Sequence, residues 1–480
     1  MDMLIDDGWT AAANGAVDPV LNPATNDRIA DVPRAGAADV ARAVAAAQAG
    51  RVAMAALPAH RRYDVLEAVA RRIEANQIEL GKLLCRENGK RLAETTAEIG
   101  VTARIFRGYA EEAKRLFGKS VPLDAIPGRE RSLAITRHEP LGVVAAIVPF
   151  NYPAELWSHK VAGGLAAGNA VITKAPEDCP LTIIEITRYL QEAGLPPAAH
   201  QLLTGGRDVG EALVRSDGVQ MISMTGSTAA GRRILEVAAA TLKKVQLELG
   251  GNDATIVCAD ADLDHVAAAL VAGRFTSGNG QICCAVKRVL VERSVFEALL
   301  DKVVQRTAGL KLGDPMLADT DVGPLINARA AARVEAQVAQ AVADGARIRI
   351  GGSRTDNFFA PTVLTDVQPG TPGFEDETFG PVLPLIPFDR FEEALDLANA
   401  TPFGLQAAIF TRDIRRVMRA YERLDVGTVV VNHTTAVRVE TLPFGGNKWS
   451  GNSREGIHDT LLHMSKEKTL LLTDVLGPEA

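Results

Sequence analysis

Between residues 143 and 257, the chain alternates short apolar runs with longer segments of helical periodicity. The apolar runs have the length and the bounding turns of buried strands, and they are 143–148, 170–173, 201–203, 219–224 and 254–257. Segments 181–193 and 230–242 lie between them and carry apolar residues at helical spacing. This order is typical of βαβ units, in which helices cover a parallel sheet. We therefore expect an α/β fold with ligands at the carboxyl ends of the strands.

The flanking regions indicate further structural units. Short strands are expected before residue 33, helices over 37–113, and a strand near 132–138. After residue 260, helices near 263–274, 294–307 and 328–344 alternate with strands near 289–291 and 346–350, which predicts a second α/β unit. The 480 residues correspond to roughly three domains at about 150 residues each.

Composition and charge exclude several classes of protein. Hydrophobic residues make up 47% and charged residues 23%, which is typical of a globular protein rather than a disordered chain. The net charge of −7 disfavours general binding to nucleic acid, which requires a basic surface. No apolar run approaches the roughly 18–20 residues of a membrane helix, so no membrane association is expected.

The cysteines and histidines indicate a reduced compartment and no metal centre. The five cysteines are odd in number and lack disulfide-framework spacing, and the acidic N-terminus lacks the basic and apolar regions of a secretory signal. We therefore expect a cytoplasmic protein. The eight histidines are scattered without metal-ligand spacing, so no metal site is expected.

The first candidate for chemistry is Cys283, which follows a glycine-rich segment at 278–280. Glycines on both sides of Asn279 allow the backbone to approach a ligand closely and leave the thiol reachable from solvent. A disulfide with its neighbour Cys284 is geometrically unfavourable. A cysteine is more often an inert, small core residue, so that alternative stays open here.

The second candidate is Glu248, which lies between two leucines and before a Gly-Gly turn. Desolvation at such a position would raise the pKa of the carboxyl group and make it a usable general base near neutral pH. The alternative is an ordinary glutamate at a strand end that faces water.

The third and fourth candidates also lie at strand ends. The amide of Asn151 could donate to a developing oxyanion, or this residue could simply occupy a turn before Tyr-Pro. The turn formed by Gly226, Ser227 and the residues up to Gly231 opens a helix, so its backbone N–H groups could hold a pyrophosphate. This turn lacks the G-x-G-x-x-G fingerprint and is a weak signal by itself.

In chain order, these features resemble the aldehyde dehydrogenase superfamily. The resemblance extends from about residue 22 to 468, and L-E-L-G-G followed closely by G-Q-x-C is highly specific. The matching segments are 149–153, Lys174, 226–231, 247–251, 280–283, 377–381 and 443–446. The resemblance implies NAD(P)-dependent oxidation of an aldehyde to its carboxylic acid. It also implies a Rossmann-like cofactor domain, a second α/β catalytic domain and a small β oligomerisation arm.

The resemblance also implies a division of the chain into domains. Residues 1–116 and 139–249 would form the dinucleotide-binding domain, and residues 250–447 the catalytic domain. Residues 117–138 and 448–480 would form the oligomerisation arm and the C-terminal tail. The tail contains an apolar strand near 468–476, and pairing with another copy of the chain would cover it. A homodimer or homotetramer is therefore expected.

By the same resemblance, the catalytic residues are Cys283, Glu248 and Asn151. Cys283 matches the family's nucleophile, whose thiolate attacks the aldehyde and later leaves from a thioester. The Asn151 amide and the Cys283 backbone N–H would stabilise the thiohemiacetal oxyanion, which expels hydride to the nicotinamide. Glu248 would then activate the water that hydrolyses the thioester.

The cofactor residues carry over from the family in the same way. Lys174 and Glu177 match the pair that holds the adenosine ribose, and the carboxylate of Glu177 favours NAD because it repels the 2′-phosphate of NADP. NADP stays possible if that side chain swings away. The remaining matches contact the pyrophosphate or the nicotinamide ribose and ring, and they are Gly226, Ser227, Gly231, Phe150, Leu249, Gly250, Glu377 and Phe379.

The predicted substrate pocket departs from relatives that act on apolar aldehydes. Where those relatives place aromatic residues after the asparagine, this chain has Glu155, Leu156 and His159. Arg438, shortly before P-F-G-G, is similar to an arginine in relatives that act on lactaldehyde or phosphonoacetaldehyde, and it could grip an anionic group bidentately. The alternative is that Arg438 pairs with Glu440 or with another subunit. A short polar or anionic aldehyde is the expected substrate.

Two other functions stay open at this point. In a CoA-acylating relative, coenzyme A rather than water attacks the thioester, but that branch commonly lacks a base at the position of Glu248. A structural or binding protein could keep the fold without turnover, although the presence of Cys283, Glu248 and Asn151 argues against this function.

Overall fold

The structure, a computed structural model that describes residues 1–473 and 475, contains the parallel sheet expected after residue 143. The rest of the predicted tail, residues 474 and 476–480, lies outside the described residues. The chain begins with short strands and four helices rather than one continuous helical region. These elements are β1 (Met3–Ile5), β2 (Gly8–Thr10), β3 (Val17–Leu21), β4 (Arg28–Pro33), α1 (Ala37–Ala56), α2 (Ala59–Ala75), α3 (Gln77–Asn88), α4 (Leu92–Ala113), β5 (Ser120–Val121) and β6 (Leu133–Pro140).

The next nine elements build the first large sheet. They are β7 (Val143–Ile147), α5 (Pro153–Ala166), β8 (Ala170–Lys174), α6 (Leu181–Glu192), β9 (His200–Leu203), α7 (Arg207–Arg215), β10 (Met221–Thr225), α8 (Thr228–Ala239) and β11 (Lys244–Glu248). The order in the sheet is β11-β10-β7-β8-β9-β1-β2, with β7 to β11 parallel and β1 and β2 antiparallel. The strand order reverses between β7 and β10, where open α/β sheets bind their ligands.

Helices cover both faces of this sheet because alternate residues of each strand are apolar on opposite sides. In β7, Val144 and Ala146 join one hydrophobic core, while Val143 and Ala145 join the other. All four side chains are fully buried. A strand buried on both faces has a continuous apolar sequence, which explains why this part of the fold could be predicted from the sequence.

The second large sheet follows the first in the chain. Its region contains β12 (Ala254–Val257), α9 (Leu263–Val271), β13 (Arg288–Glu292), α10 (Phe296–Ala308), α11 (Ala328–Ala343), β14 (Arg347–Ile350), β15 (Arg354–Thr355), β16 (Phe358–Phe359), β17 (Thr362–Thr365), α12 (Pro372–Glu375), β18 (Val382–Phe388), α13 (Phe391–Asn399), β19 (Phe403–Gly404), β20 (Gln406–Phe410), α14 (Ile414–Arg423) and β21 (Thr428–Val431). The order in the sheet is β14-β17-β18-β13-β12-β20-β21, parallel except for β14.

The C-terminal part returns to the other units. It contains β22 (Asn447–Lys448), α15 (Ile457–His463) and β23 (Ser465–Leu472). Strand β23 pairs with β6 along its whole length, and β5 pairs with the other side of β6. This three-stranded antiparallel sheet is the small β arm expected from the resemblance. Leu470 and Leu471 of β23 are 51% and 55% exposed.

The structure confirms the predicted α/β class and corrects two local predictions. Strand β12, grouped with the first apolar runs in the sequence, belongs to the second sheet, where it lies between β13 and β20. Strand β11 was not among those runs because Lys244 and Gln246 interrupt its apolar character. Among the helices of the described residues, none is long and apolar enough alone to cross a membrane. The bent pair α1 and α2 together meets the length and composition expected of a membrane span.

Candidate active site

Four strands of the first sheet end at the same edge and place most of the predicted site there. From β11 to β8, the residues at or just after these strand ends are Glu248, Gly226, Phe150 and Lys174. Because the strands are parallel, their carboxyl ends meet, and the residues predicted for catalysis and for cofactor binding become neighbours.

Cys283 lies on a loop between α9 and β13 that reaches back toward this edge. Of the five cysteines, all within the described part of the chain, four are buried and Cys283 is partly exposed. Cys283 therefore differs from the other four cysteines in not being fully enclosed in the core. The adjacent Cys284 thiol and burial raise the pKa of Cys283, whereas the ammonium group of Lys287 opposes that rise.

Glu248 ends strand β11 with its side chain buried. Among the described residues, neither of its carboxylate oxygens has a hydrogen-bond partner. Burial raises the pKa of Glu248 well above its ordinary value; Glu455 and Cys283 raise it further, while Arg438 and Lys160 lower it. The Glu248 carboxyl group is therefore buried rather than facing water, and the Cys283 thiol is among the groups that influence it electrostatically.

The predicted substrate residues border a buried network of charges next to Glu248. Arg438 donates from Nη2 to Glu455 Oε1 at 2.7 Å, and Lys160 donates to Glu455 Oε2 at 2.7 Å. Burial opposes ionisation of Glu455, but the two cations hold its pKa well below its usual range. Arg438 therefore pairs with Glu455, while Glu440 pairs instead with Arg104.

Glu155 and His159 lie on helix α5 at the border of the same network. Glu155 Oε1 is 3.6 Å from Arg438 Nε, and burial raises the pKa of Glu155 to about 7 despite that cation. His159 is fully buried, with Nδ1 3.1 Å from the hydroxyl of Tyr109, and burial keeps its pKa well below the ordinary value. The Nε2 atom of His159 has no partner in the described part of the chain.

Asn151 is positioned by three consecutive residues, 88–90, whose role the sequence did not reveal. Asn88 donates to the carbonyl of Phe150 at 2.6 Å, and Lys90 donates to the carbonyl of Asn151 at 2.6 Å. The carbonyl of Gly89 accepts from the side chain of Asn279, on the loop that carries Cys283, at 2.9 Å. One turn therefore holds both the predicted oxyanion donor and the nucleophile loop.

Lys90 is itself held by a buried carboxylate. It pairs with Glu98, and both side chains are almost completely buried. The second oxygen of Glu98 accepts from the backbone N–H groups of Ala154 and Glu155 at the start of helix α5. Lys90 and Glu98 stand in a segment that contains several other charged residues, so the sequence does not distinguish this buried pair from surface charges.

The predicted adenosine end of the cofactor site is a cleft of about 470 Å³ beside strand β8. Lys174, Glu177 and Ser227 line it together with Arg207 and Arg233. The side chain of Ser227 caps helix α8 by accepting from the backbone N–H of Ala230 at 3.3 Å.

Two glycines of this region lie close to neighbouring side chains. A Cβ on Gly231 would lie 2.6 Å from the side chain of Leu249, and a Cβ on Gly206 would lie 2.5 Å from Glu177 Oε1. The cleft is open, bordered by a helix N-terminus and lined by opposite charges, so its residues fit the adenosine half of a dinucleotide.

The predicted nicotinamide end lies closer to Cys283. The rings of Phe150 and Phe379 meet edge to face with their centroids 5.8 Å apart. Glu377 Oε1 accepts from the backbone N–H of Gly251 at 3.1 Å and from Lys287 Nζ at 2.7 Å. A Cβ on Gly250 would lie 2.2 Å from Glu377 Oε2, so a side chain at position 250 would require this carboxylate to move.

No group of three or more His, Cys, Asp or Glu side chains in residues 1–473 and 475 has an arrangement that could hold a metal ion.

Comparison with known proteins identifies the family. The model of the aldehyde dehydrogenase family matches residues 9–470. A 3-sulfolactaldehyde dehydrogenase of Priestia aryabhattai is 38% identical over 454 residues, which cover 94% of each chain. A succinate-semialdehyde dehydrogenase [NADP(+)] of Escherichia coli is 38% identical over 458 residues, again with 94% of each chain covered.

A solved structure agrees with these sequence matches. The crystal structure of succinate-semialdehyde dehydrogenase from Burkholderia pseudomallei superposes with a TM-score of 0.95 at 38% identity, covering 98% of both chains. Family model, relatives and fold all point to the same family. The chain therefore belongs to the aldehyde dehydrogenase family and is an NAD(P)-dependent aldehyde dehydrogenase.

Proposed function

We propose that this enzyme oxidises its aldehyde through a covalent intermediate on Cys283, with Asn151 and Glu248 as the other catalytic residues. The observation that carries the proposal is the buried, unpaired carboxyl group of Glu248, whose pKa the partly exposed Cys283 thiol helps to raise. A buried carboxyl group without partners is costly for folding, and a raised pKa suits a general base that works near neutral pH.

In the first step, the Cys283 thiolate attacks the carbonyl carbon, and the π electron pair moves to oxygen. The side-chain amide of Asn151 and the backbone N–H of Cys283 donate to that oxyanion. Asn151 suits this role because Lys90 fixes its backbone while its amide makes no hydrogen bond within the described residues. Bound NAD(P)⁺ supplies the hydride acceptor when the oxyanion collapses, and the acyl group stays on Cys283 as a thioester.

In the second step, Glu248 accepts a proton from water while the water oxygen bonds to the thioester carbon. The carbon–sulfur bond then breaks, the carboxylic acid leaves, and Cys283 is released as a thiolate. Lys160 and Arg438 favour the ionised form of Glu248, whereas Glu455 and burial favour the protonated form. This balance suits a group that must accept and later release a proton in each turnover.

We further propose that the substrate is a short polar or anionic aldehyde held near Arg438. The Nη2 atom of Arg438 is occupied by Glu455, whereas Nη1 makes no hydrogen bond within the described residues. Glu155 stands 3.6 Å from Nε and, with a pKa of about 7, competes only weakly for the guanidinium near neutral pH. The names of two relatives, 3-sulfolactaldehyde dehydrogenase and succinate-semialdehyde dehydrogenase, support a substrate with an acidic group.

For the coenzyme, we propose that Glu177 favours NAD, while NADP stays usable. Glu177 is exposed in the adenosine cleft, where its carboxylate would accept from a ribose hydroxyl and repel a 2′-phosphate. Arg207 and Arg233 line the same cleft and would attract a phosphate, so the preference is modest.

We also propose the domain division, oligomeric state and location expected above. The first and second large sheets span 3–248 and 254–431, which supports a cofactor domain of 1–116 and 139–249 and a catalytic domain of 250–447. The exposed leucines of β23 support an oligomerisation arm formed by 117–138 and 448–480, in a homodimer or homotetramer. Five free cysteines support a cytoplasmic location.

The experiment that tests the mechanism is stopped-flow absorbance with aldehydes of different charge, including glycolaldehyde, lactaldehyde and succinic semialdehyde. We expect a burst of NADH on mixing, no burst for Cys283→Ala, and a free acid as product whether or not coenzyme A is present. The proposal would be refuted if product formed only after coenzyme A was added and was then an acyl-CoA. An unchanged burst in Cys283→Ala would also refute it.

Substrate charge is tested by Arg438→Gln, with succinic semialdehyde and butanal as aldehydes of equal chain length. Loss of a charge-assisted hydrogen bond to the acid group should lower the ratio of kcat/KM for succinic semialdehyde to kcat/KM for butanal by about 10- to 100-fold. Because the comparison is a ratio within one variant, general damage to the site cancels. A ratio equal to that of the wild type would remove Arg438 from substrate recognition.

A further inference from the structure

Lys287 is a buried lysine, four residues after Cys283, that sequence reasoning did not single out. Its side chain is only 1% exposed, and its ammonium group makes three hydrogen bonds. The acceptors are the carbonyl of Gly251 at 2.8 Å, the carbonyl of Cys283 at 3.0 Å and Glu377 Oε1 at 2.7 Å. An ammonium group has three donors, so this buried charge is fully satisfied.

The three acceptors of Lys287 belong to three different segments of the site. Gly251 follows the turn after Glu248, Cys283 carries the proposed nucleophile, and Glu377 matches the residue that binds the nicotinamide ribose. Glu377 Oε1 also accepts from Gly251 N–H, and the backbone of Gly250 lies so close that a Cβ there would stand 2.2 Å from Oε2. The carboxylate is therefore held by one ammonium group and by a backbone N–H of the same turn.

We infer that Lys287 is a positioning residue for hydride transfer, because it fixes the carboxylate of Glu377 relative to the backbone of Cys283. The inference rests on the proposed function, in which the coenzyme and the thiol act on the same carbon. Hydride transfer requires the donor carbon and the acceptor ring to be held close together. A single ammonium group that bonds both supporting segments keeps that separation constant.

The same ammonium group also acts on the thiol. Among the groups that influence Cys283, the neighbouring thiol and burial raise its pKa, and Lys287 is the group that lowers it. The titratable groups coupled electrostatically to Cys283 are Cys284, Lys287, Glu377, Glu248 and Asp253. Removing Lys287 should therefore shift thiolate formation to higher pH, which a purely structural lysine would not do.

The test compares Lys287→Met with Lys243→Met in the full-length enzyme. Lys243 is a suitable control because its ammonium group also bonds two backbone carbonyls, of Ser216 and Val219, but contacts none of the site residues. Two readouts need no turnover: the pH dependence of Cys283 alkylation by iodoacetamide, and the NADH dissociation constant from fluorescence. The NADH burst provides a third.

For Lys287→Met we expect the midpoint of Cys283 alkylation to move to higher pH and the NADH dissociation constant to rise about fivefold or more. The burst should slow about tenfold, while Lys243→Met leaves all three values within twofold of the wild type. An unchanged alkylation profile and an unchanged NADH dissociation constant in Lys287→Met would overturn the inference, whatever happens to kcat. If that variant does not fold, Lys287→Gln, which keeps N–H donors without the charge, is judged by the same two readouts.

Failure of the proposed function gives a different result. If the wild-type enzyme shows no NADH burst with any aldehyde, the covalent mechanism fails and this inference fails with it. If the wild type shows a burst and the Lys287 variants match it in alkylation and NADH binding, only the inference about Lys287 is wrong.

Discussion

On one side of Cys283, the buried Lys287 and the Glu377 carboxylate are paired with each other, although Asp253 Oδ2 nearby has no partner within the described residues. On the other side, several charged side chains have unpartnered atoms. The coenzyme side is formed by Lys287, Glu377 and the 250–251 turn. All three N–H groups of Lys287 donate hydrogen bonds, and Glu377 Oε1 accepts two. The substrate side, formed by Glu248, Glu155, His159, Arg438 and Glu455, is different. Within the described residues, both oxygens of Glu248, Nε2 of His159 and Nε of Arg438 lack hydrogen bonds there.

This difference shows where the chain accepts a cost in stability. An unsatisfied buried polar atom costs roughly 1–3 kcal/mol, so three such side chains in one region require an explanation. We attribute the cost to the chemistry of that side, where water and a polar substrate must find unoccupied donors and acceptors. The coenzyme side has the opposite requirement, because a fixed geometry needs side chains that are already paired.

The largest expected effect is that of Glu248→Gln, which removes the proposed base from the substrate side. We expect kcat to fall by about 10²- to 10⁴-fold while the NADH burst persists, because hydride transfer precedes hydrolysis. Rapid-quench and stopped-flow measurements of burst and steady state would show this. Loss of the burst together with kcat would instead place Glu248 before the thioester.

The same variant should also be more stable than the wild type, and the gain should grow with pH. Burial raises the pKa of folded Glu248 above the value of 4.5 in the unfolded chain, so the folded state binds the proton more tightly. The contribution of Glu248 to stability therefore falls as the pH rises above about 4.5, and glutamine has no such dependence. Thermal unfolding of both proteins between pH 5 and 8 measures the difference.

The control for stability is Glu87→Gln. Glu87 is equally buried, but its oxygens accept from the backbone of Leu181 and Thr182 and from the Thr182 hydroxyl. Replacing one of these oxygens with an NH₂ group should lower the melting temperature, although burial raises the pKa of Glu87 to about 7. Equal responses of the two variants would mean that pairing does not distinguish these carboxyl groups.

Much of this fold could be predicted because strands buried on both faces leave continuous apolar runs such as 143–148. The residues Cys283, Glu248 and Asn151 were predicted from local motifs at strand ends and loops, and the structure places them around one edge. Lys90 and Lys287 were not, because several of their partners are backbone carbonyls of residues far away in the chain, such as that of Asn151, 61 residues after Lys90. Every residue has a backbone carbonyl group, so the identity of a residue does not indicate whether its carbonyl accepts a hydrogen bond from a buried lysine.

The next largest effect is expected for Lys90→Met, which extends the test of paired groups to the segment that holds Asn151. Breaking the buried pair of Lys90 and Glu98 leaves an uncompensated carboxylate, which should lower the free energy of unfolding by about 3–5 kcal/mol. Urea denaturation measures this loss.

Lys82→Met is the matched control, because Lys82 pairs with Glu79 on the surface, where the side chains are 44% and 74% exposed. That substitution should cost no more than about 1 kcal/mol. Similar losses for the two lysines would contradict the view that the pair beneath Asn151 supports the site.

The smallest expected effect is at Glu177, where the coenzyme side meets solvent and the pairing is loosest. Glu177→Gln keeps the size of the side chain and removes the negative charge that would repel a 2′-phosphate, so the ratio of kcat/KM for NADP to that for NAD should rise about fivefold. Salt screens exposed charges, so the gain should shrink as ionic strength increases. Glu211→Gln is the control, because Glu211 lines the same cleft but pairs with Arg215, and its ratio should change less than twofold. An equal rise in both variants would assign the preference to the overall potential of the cleft, and no rise in either would leave the NAD preference without an electrostatic basis at Glu177.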